Sequence, residues 1–278
     1  MDKGIKTRLI IHKLLENLKY ESSNFEGLIS KKLNSYSLSQ RDKNLVTTVV
    51  LNSMRYRCQV ERIIKKYVLK KTTKQQYILL LSAITQIVFL NFKEYAVVNS
   101  TVELSKLSNL SSSPGFINAV LKKIANNKIN LKKTSILFSD LPKWFLNNVL
   151  DWSKTKKIKF VNEICMEPIL HIVFKNNQML NKFKIEKIKT SDNSVAINSS
   201  GNISDLPCYD NGDWWIQDMA TMLPIYLTKE IKNKQVLDMC AAPGGKSFQI
   251  LSLGNNLTMI EKSKKRAKIL RENLDRLK

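Results

Sequence analysis

Through the first 125 or so residues, apolar side chains recur at three- and four-residue steps, the period of a helix with one buried face. Ile5, Leu9, Ile10, Leu14, Leu15 and Leu18 make the first such stripe. A second helical pattern runs from Leu38 to Val68. Its start is marked by Ser39 as N-cap and Asp42 three residues on, and its stripe is Leu45, Val46, Val49, Val50 and Met54, then Val60, Ile63 and Ile64. From Gln75 to Leu90 the face of Ile78, Leu79, Leu81, Ile84, Ile87 and Val88 is almost wholly apolar, which predicts a helix at the centre of a bundle. Val97 to Leu107 and Ile117 to Ala125 add two more helices, separated by a break at Ser111 to Gly115. Six or so helices and no strand predict an all-α domain over residues 1–128.

The pattern then changes. Asn126 to Ser139 is polar and basic with little periodicity, and reads as a linker. Pro142 opens a short helical pattern with Trp144, Phe145, Val149, Leu150 and Trp152 on its core face, followed by the basic run Lys154, Lys156, Lys157 and Lys159. Ile169 to Phe174 is a short β-branched run, a strand. Residues 140–210 therefore read as a small α+β domain. His171 lies in that strand with no second ligand nearby, so it reads as a structural histidine. In residues 211–278 a turn at Asp210-Asn211-Gly212 leads to a strand at Trp214-Trp215-Ile216, and Asp218 caps a helix through Leu227. The aromatic pair fits core packing better than base stacking. Val236 to Asp238 is a strand, Cys240 to Gly245 a tight small-residue turn, and Lys246 onward a helix. Leu257 to Ile260 is a second strand ending in Glu261, followed by a helix from Lys262 to Lys278. This alternation is the beginning of an α/β sheet.

The net charge of +23 adds a partner to this picture. A phosphate polymer suits such a surplus, although most of the bases are lysine in a chain also rich in Asn and Ile, so compositional drift contributes. No apolar run is long enough to span a membrane, and Met1-Asp2-Lys3 does not open a signal peptide. Cys58, Cys165, Cys208 and Cys240 are widely spaced, so neither a metal site nor a disulfide framework is expected, and a reducing cytoplasm fits.

The candidate chemistry lies in Val236 to Ser247, VLDMCAAPGGKS. Ligands of open α/β sheets bind above such strand-to-helix turns, and Gly244 and Gly245 allow close approach to the backbone. A phosphate-binding P-loop fits only the end of it, Gly245-Lys246-Ser247. Cys240 occupies the position that needs the first glycine, and Pro243 lacks an N–H. The other reading is a turn for S-adenosylmethionine. Asp238, Cys240, Ala241, Ala242, Pro243, Gly244, Gly245, Lys246 and Ser247 resemble the first motif of the RsmB/Nop/Sun class of RNA cytosine-5 methyltransferases. Downstream, Glu261, Ser263 and Arg266 resemble that class's D-x-S-x-x-R pattern, with Glu where Asp is usual. Upstream, Ser39-Gln40-Arg41-Asp42, Met54-Arg55-Tyr56, Val98-Asn99 and Phe116-Ile117-Asn118-Ala119-Val120-Leu121 resemble the NusB-type RNA-binding domain that precedes its catalytic domain.

The resemblance implies a multidomain protein: an all-α NusB-like bundle, a small α+β domain, then the start of a Rossmann-like α/β methyltransferase domain. It implies S-adenosylmethionine as cofactor, held by Cys240, Ala241, Ala242, Pro243, Gly244, Gly245, Lys246 and Glu261, with rRNA, specifically 16S, as partner and cytosine C5 as target. In the class the attacking thiolate lies in a Pro-Cys-Ser segment on a later strand. Its position falls beyond Lys278, so no catalytic residue is assigned and residues 1–278 alone are not expected to methylate. Cys240, by the same resemblance, lines the cofactor turn. The alternative is a non-catalytic RNA-binding protein that uses the helical domain.

Overall fold

The computed structural model describes residues 3–20, 33, 35–107, 113–198, 201–228 and 231–277. Ser111 and Ser112 of the predicted break, and Lys278, lie outside them. The chain divides into two compact units, 1–166 and 167–278.

The first unit is helical: α1 (Lys3–Tyr20), α2 (Gln40–Arg55), α3 (Arg57–Tyr67), α4 (Lys74–Ile84), α5 (Glu94–Ser105), α6 (Pro114–Asn126), α7 (Lys128–Leu131), α8 (Lys143–Asn147) and α9 (Lys154–Ile164). The long helical pattern after Leu38 breaks at Tyr56 into α2 and α3. Ser39 caps α2 as its sequence predicts, with Oγ accepting from Asp42 N–H at 3.2 Å. Thr73 and Gln76 form a reciprocal capping box on α4. This helix is the centre of the bundle. Ile78, Leu80, Leu81 and Ile84 are fully buried, and a π-helical turn over Thr85–Phe89 carries Ile87 and Val88 into the same core. Proline opens α6, where its missing N–H costs no helical bond.

The stretch expected to be a linker is partly ordered. Leu131 of α7 is buried, and Asn127 Nδ2 donates to Tyr67 Oη at 2.8 Å. The following helices also belong to the first unit, whereas their sequence places them at the start of a separate small domain. Arg62 pairs with Asp140 at 3.2 Å, and Gln59 Nε2 donates to Cys165 Sγ at 3.4 Å. Phe145 stacks on Phe160 and meets Trp152 edge-on, so α8 and α9 share a small aromatic core.

His12 is the notable buried polar group of this unit. Its Nε2–H donates to Gln75 Oε1 at 2.5 Å, and Gln75 Nε2 donates to Glu16 Oε1 at 3.1 Å. Nδ1 has no hydrogen-bond partner among the described residues. Burial pushes the imidazole pKa below its usual 6.5, because protonation would place an unpaired N–H and a charge in the core. The unfolded chain therefore takes up this proton at higher pH than the folded one does. Stability is full above about pH 6.5 and falls as pH drops below it. The slope has a ceiling of about 1.4 kcal/mol per pH unit for one proton. Urea unfolding between about pH 7.5 and 5.5 should show this loss, and His12→Asn should flatten it. An unchanged slope in the variant would remove His12 as its source.

The second unit holds β1 (Leu170–Phe174), α10 (Asn177–Lys182), β2 (Ile188–Ser191), β3 (Ser194–Ile197), β4 (Trp214–Ile216), α11 (Met219–Leu227), β5 (Gln235–Asp238), α12 (Gly245–Ser252), β6 (Asn256–Met259) and α13 (Lys264–Arg276). Four strands form an antiparallel sheet in the order β2-β3-β1-β4, with Ile172 opposite both Val195 and Ile216. A parallel pair, β5-β6, is joined through α12, with Asp238 opposite Met259. Strand alternation sends β1 side chains to opposite faces. Ile172 and Phe174 pack with Phe183, Val195 and Trp214, while Val173 packs with Trp215, Met222, Phe248 and Leu270. The aromatic pair is thus core, as its sequence suggests: Trp214 is 0% and Trp215 3% exposed. Because the second of these cores takes residues from β1, β4, α12 and α13, the sheet and the βαβ segment form one unit, with no boundary at residue 210 or 211. No helix among the described residues is long and apolar enough to cross a membrane.

Candidate functional site

The turn after β5 is held from three sides. Asp238 Oδ1 accepts the backbone N–H of Cys240 at 3.1 Å, and Oδ2 accepts Ser247 Oγ–H at 2.7 Å. One carboxylate therefore ties the strand end to the turn and to the first turn of α12. Ala241 N–H donates to Ile260 O at 3.1 Å, which fixes the turn to the end of β6. From α13, Arg266 donates to Ala242 O, and Asn273 Nδ2 donates to Pro243 O at 3.0 Å. Ala241 and Ala242 are buried. Gly244 sits at φ +120°, and a Cβ there would lie 2.1 Å from the Phe248 ring. Glycine is required at this point both for the backbone conformation and for the ring beneath it.

The turn forms one wall of a cleft of about 350 Å³. Asp238, Cys240, Ala241, Ala242, Pro243, Gly245 and Lys246 line that wall, and Ile216, Gln217, Asp218 and Thr221 line the other. The cleft thus brings two carboxylates and one ammonium around a floor of small residues. Six of the eight residues expected to contact a cofactor line it. Gly244 lies behind the turn against Phe248, and Glu261 is outside the lining. Glu261 Oε1 accepts Ser263 N–H at 2.9 Å, and Oε2 lies 3.4 Å from Arg266 Nη1. That second oxygen accepts no hydrogen bond among the described residues, although it is buried.

Gln217 lines the cleft and is not among the residues expected from the sequence to hold a cofactor. It is 4% exposed and sits in a ladder of side-chain amides. Trp215 Nε1–H donates to Gln217 Oε1 at 2.9 Å, Gln217 Nε2 to Gln249 Oε1 at 2.7 Å, and Gln249 Nε2 to Met222 O at 3.3 Å. The available signal was a glutamine two residues after a strand tryptophan, on the same face. Asp218 caps α11 as expected, accepting Ala220 N–H at 2.8 Å. Its other oxygen is 3.7 Å from His171 Nδ1, so the strand histidine sits beside the cleft wall. Cys240 is a free, exposed thiol. Among the described residues no group of His, Cys, Asp or Glu could hold a metal ion.

Residues 5–126 match the model of the NusB family, and residues 225–278 match that of the 16S rRNA methyltransferase RsmB/F family. Ribosomal RNA small subunit methyltransferase B of Photorhabdus laumondii is 26% identical over 259 residues, covering 87% of this chain and 60% of the relative. A probable ribosomal RNA small subunit methyltransferase B of Bacillus subtilis is 24% identical over 279 residues, covering 90% and 61%. The chain thus spans about three-fifths of the length of these curated relatives. The crystal structure of PH0851 aligns with all of this chain and 68% of its own, with TM-score 0.60 and 13% identity, a likeness of fold.

Proposed function

Because this chain resembles RsmB-type rRNA methyltransferases with an N-terminal NusB-like domain, we propose that it is part of an S-adenosylmethionine-dependent rRNA cytosine-C5 methyltransferase acting on 16S RNA. The observation that carries this reading is the turn from Asp238 to Ser247, which lies within the segment that matches the RsmB/F model and forms the small-residue wall of the cleft.

The residues present fit the cofactor. An amino-acid head group carries an ammonium and a carboxylate. Asp218 and Asp238 offer acceptors to the first, and Lys246 offers a cation to the second. Ala241 and Ala242 leave room for an extended ligand beside the backbone. At Gly245 an added Cβ would come within 3.3 Å of Gln217 Cγ, so the cleft is close-fitting there. Glu261 stands two residues past β6, and its Oε2, which faces Arg266 but accepts no hydrogen bond among the described residues, has acceptor capacity for a ribose hydroxyl. When bound, S-adenosylmethionine supplies the sulfonium-borne methyl group. This chain's residues bind and orient it, and Cys240 is read as a wall of its pocket.

Calorimetric titration of S-adenosylmethionine tests the reading. The wild-type chain should bind, and Asp238→Asn should bind about tenfold or more weakly. The amide cannot accept from both Cys240 N–H and Ser247 Oγ–H with the strength of a carboxylate. No affinity in the wild type would leave a non-catalytic RNA-binding protein as the better description.

A further inference from the structure

The first unit contains a groove of about 420 Å³ between α5 and α6 that the cofactor reading does not use. Its floor is apolar, with Val98 8% exposed and Val102 beside it. Its walls are polar. Tyr95 and Asn99 stand one turn apart on α5, and Asn118 and Lys122 one turn apart on α6, so each pair shares a face. Tyr95 is 81% exposed, far more than a ring that serves packing. The carboxamides of Asn99 and Asn118 make no hydrogen bond with any described residue, although Asn118 is half-buried. Glu94, the one acid of the lining, pairs with Lys128 of α7, which leaves the Lys122 ammonium as the charge of the lining with no ion pair among the described residues.

We propose that this groove binds an unpaired RNA base, with Tyr95 as the stacking platform. Asn99 and Asn118 read the base edge, and Lys122 meets a flanking phosphate. A carboxamide both donates and accepts, which suits the edge of a splayed-out base. An exposed aromatic ring stacks any base face. A volume of this size accepts a small planar ligand. A peptide helix would call for a row of apolar anchors in its groove. Here the walls carry open amides and a cation, and the whole chain is +23. The inference rests on RNA as the partner in the function proposed above, and it adds where one base of that RNA sits.

Fluorescence anisotropy of the full chain with a short labelled single-stranded RNA tests it, with a duplex of the same sequence as comparison. Tyr95→Ala should weaken single-strand binding about 10- to 100-fold. Tyr95→Phe should preserve it, and neither variant should change the affinity for S-adenosylmethionine. Photocrosslinking with 4-thiouridine RNA should label the α5 peptide at Tyr95. Wild-type affinity in Tyr95→Ala, with no crosslink to α5, would overturn the base site while leaving RNA as partner. A wild-type chain that binds no RNA would overturn both this inference and the RNA partner, and the cofactor titration would stand apart from either result.

Discussion

Replacing Gly244 by alanine is expected to destabilise the second unit by about 2–6 kcal/mol and to abolish the S-adenosylmethionine binding proposed above. Two costs add. A side chain at φ +120° is strained by about 1–3 kcal/mol. The new Cβ also meets the Phe248 ring at 2.1 Å, and overpacking of this kind costs a further 1–3 kcal/mol or so. The ring has little room to retreat. Phe248 is 5% exposed and sits edge-on to Trp215 at 6.1 Å. Hydrogen exchange of peptides within residues 170–260, followed through a urea series, reads the loss directly. Adding Phe248→Leu should recover part of the packing cost and none of the backbone cost. Exchange at wild-type rates in Gly244→Ala would show that the turn accommodates a side chain.

Gln217→Leu is expected to cost nearly as much, by leaving polar groups without partners rather than by overfilling space. The substitution strips the acceptor from Trp215 Nε1–H and the donor from Gln249 Oε1. Each orphaned buried group costs about 1–3 kcal/mol, so a total of about 2–6 kcal/mol follows. The contrast lies in the double variant Gln217→Leu/Gln249→Leu. Removing Gln249 in the leucine background should cost much less than removing it alone, because one of its lost bonds is already gone. Chemical denaturation of the four proteins measures this coupling. Additive costs would mean that the two amides act independently.

What the sequence made legible was local. The apolar stripe of Ile78, Leu81 and Ile84 predicted a central helix because burial on every side leaves no polar face to vary. Ser39 and Asp218 predicted helix starts because a cap needs only its own backbone two or three residues on. The turn after Asp238 was legible for the same reason: small residues, proline and glycine constrain their own backbone. Periodicity reports that a face is buried, but not by what. Nothing in the polar stretch before Pro142 says that Asp140 will meet Arg62, so α8 and α9 were placed with the wrong neighbours. The amide ladder was missed because Gln217 and Gln249 are 32 positions apart and each alone looks like a surface residue. Glu261 follows the last residue of β6, Met259, by two positions. Its engagement with Ser263 N–H and Arg266 depends on side-chain directions that strand position does not fix.

The two-faced strand β1 has a consequence for how this protein can change over generations. Its residues Ile172 and Phe174 complete one core and Val173 another, and Trp214 and Trp215 of β4 repeat the division. A recombination breakpoint between the antiparallel sheet and the turn after β5 would leave Phe248 and Leu270 facing a foreign surface. The turn and the sheet behind it are therefore expected to be inherited together, as a single piece. Its nearest separable neighbour is the helical unit that ends at Met166.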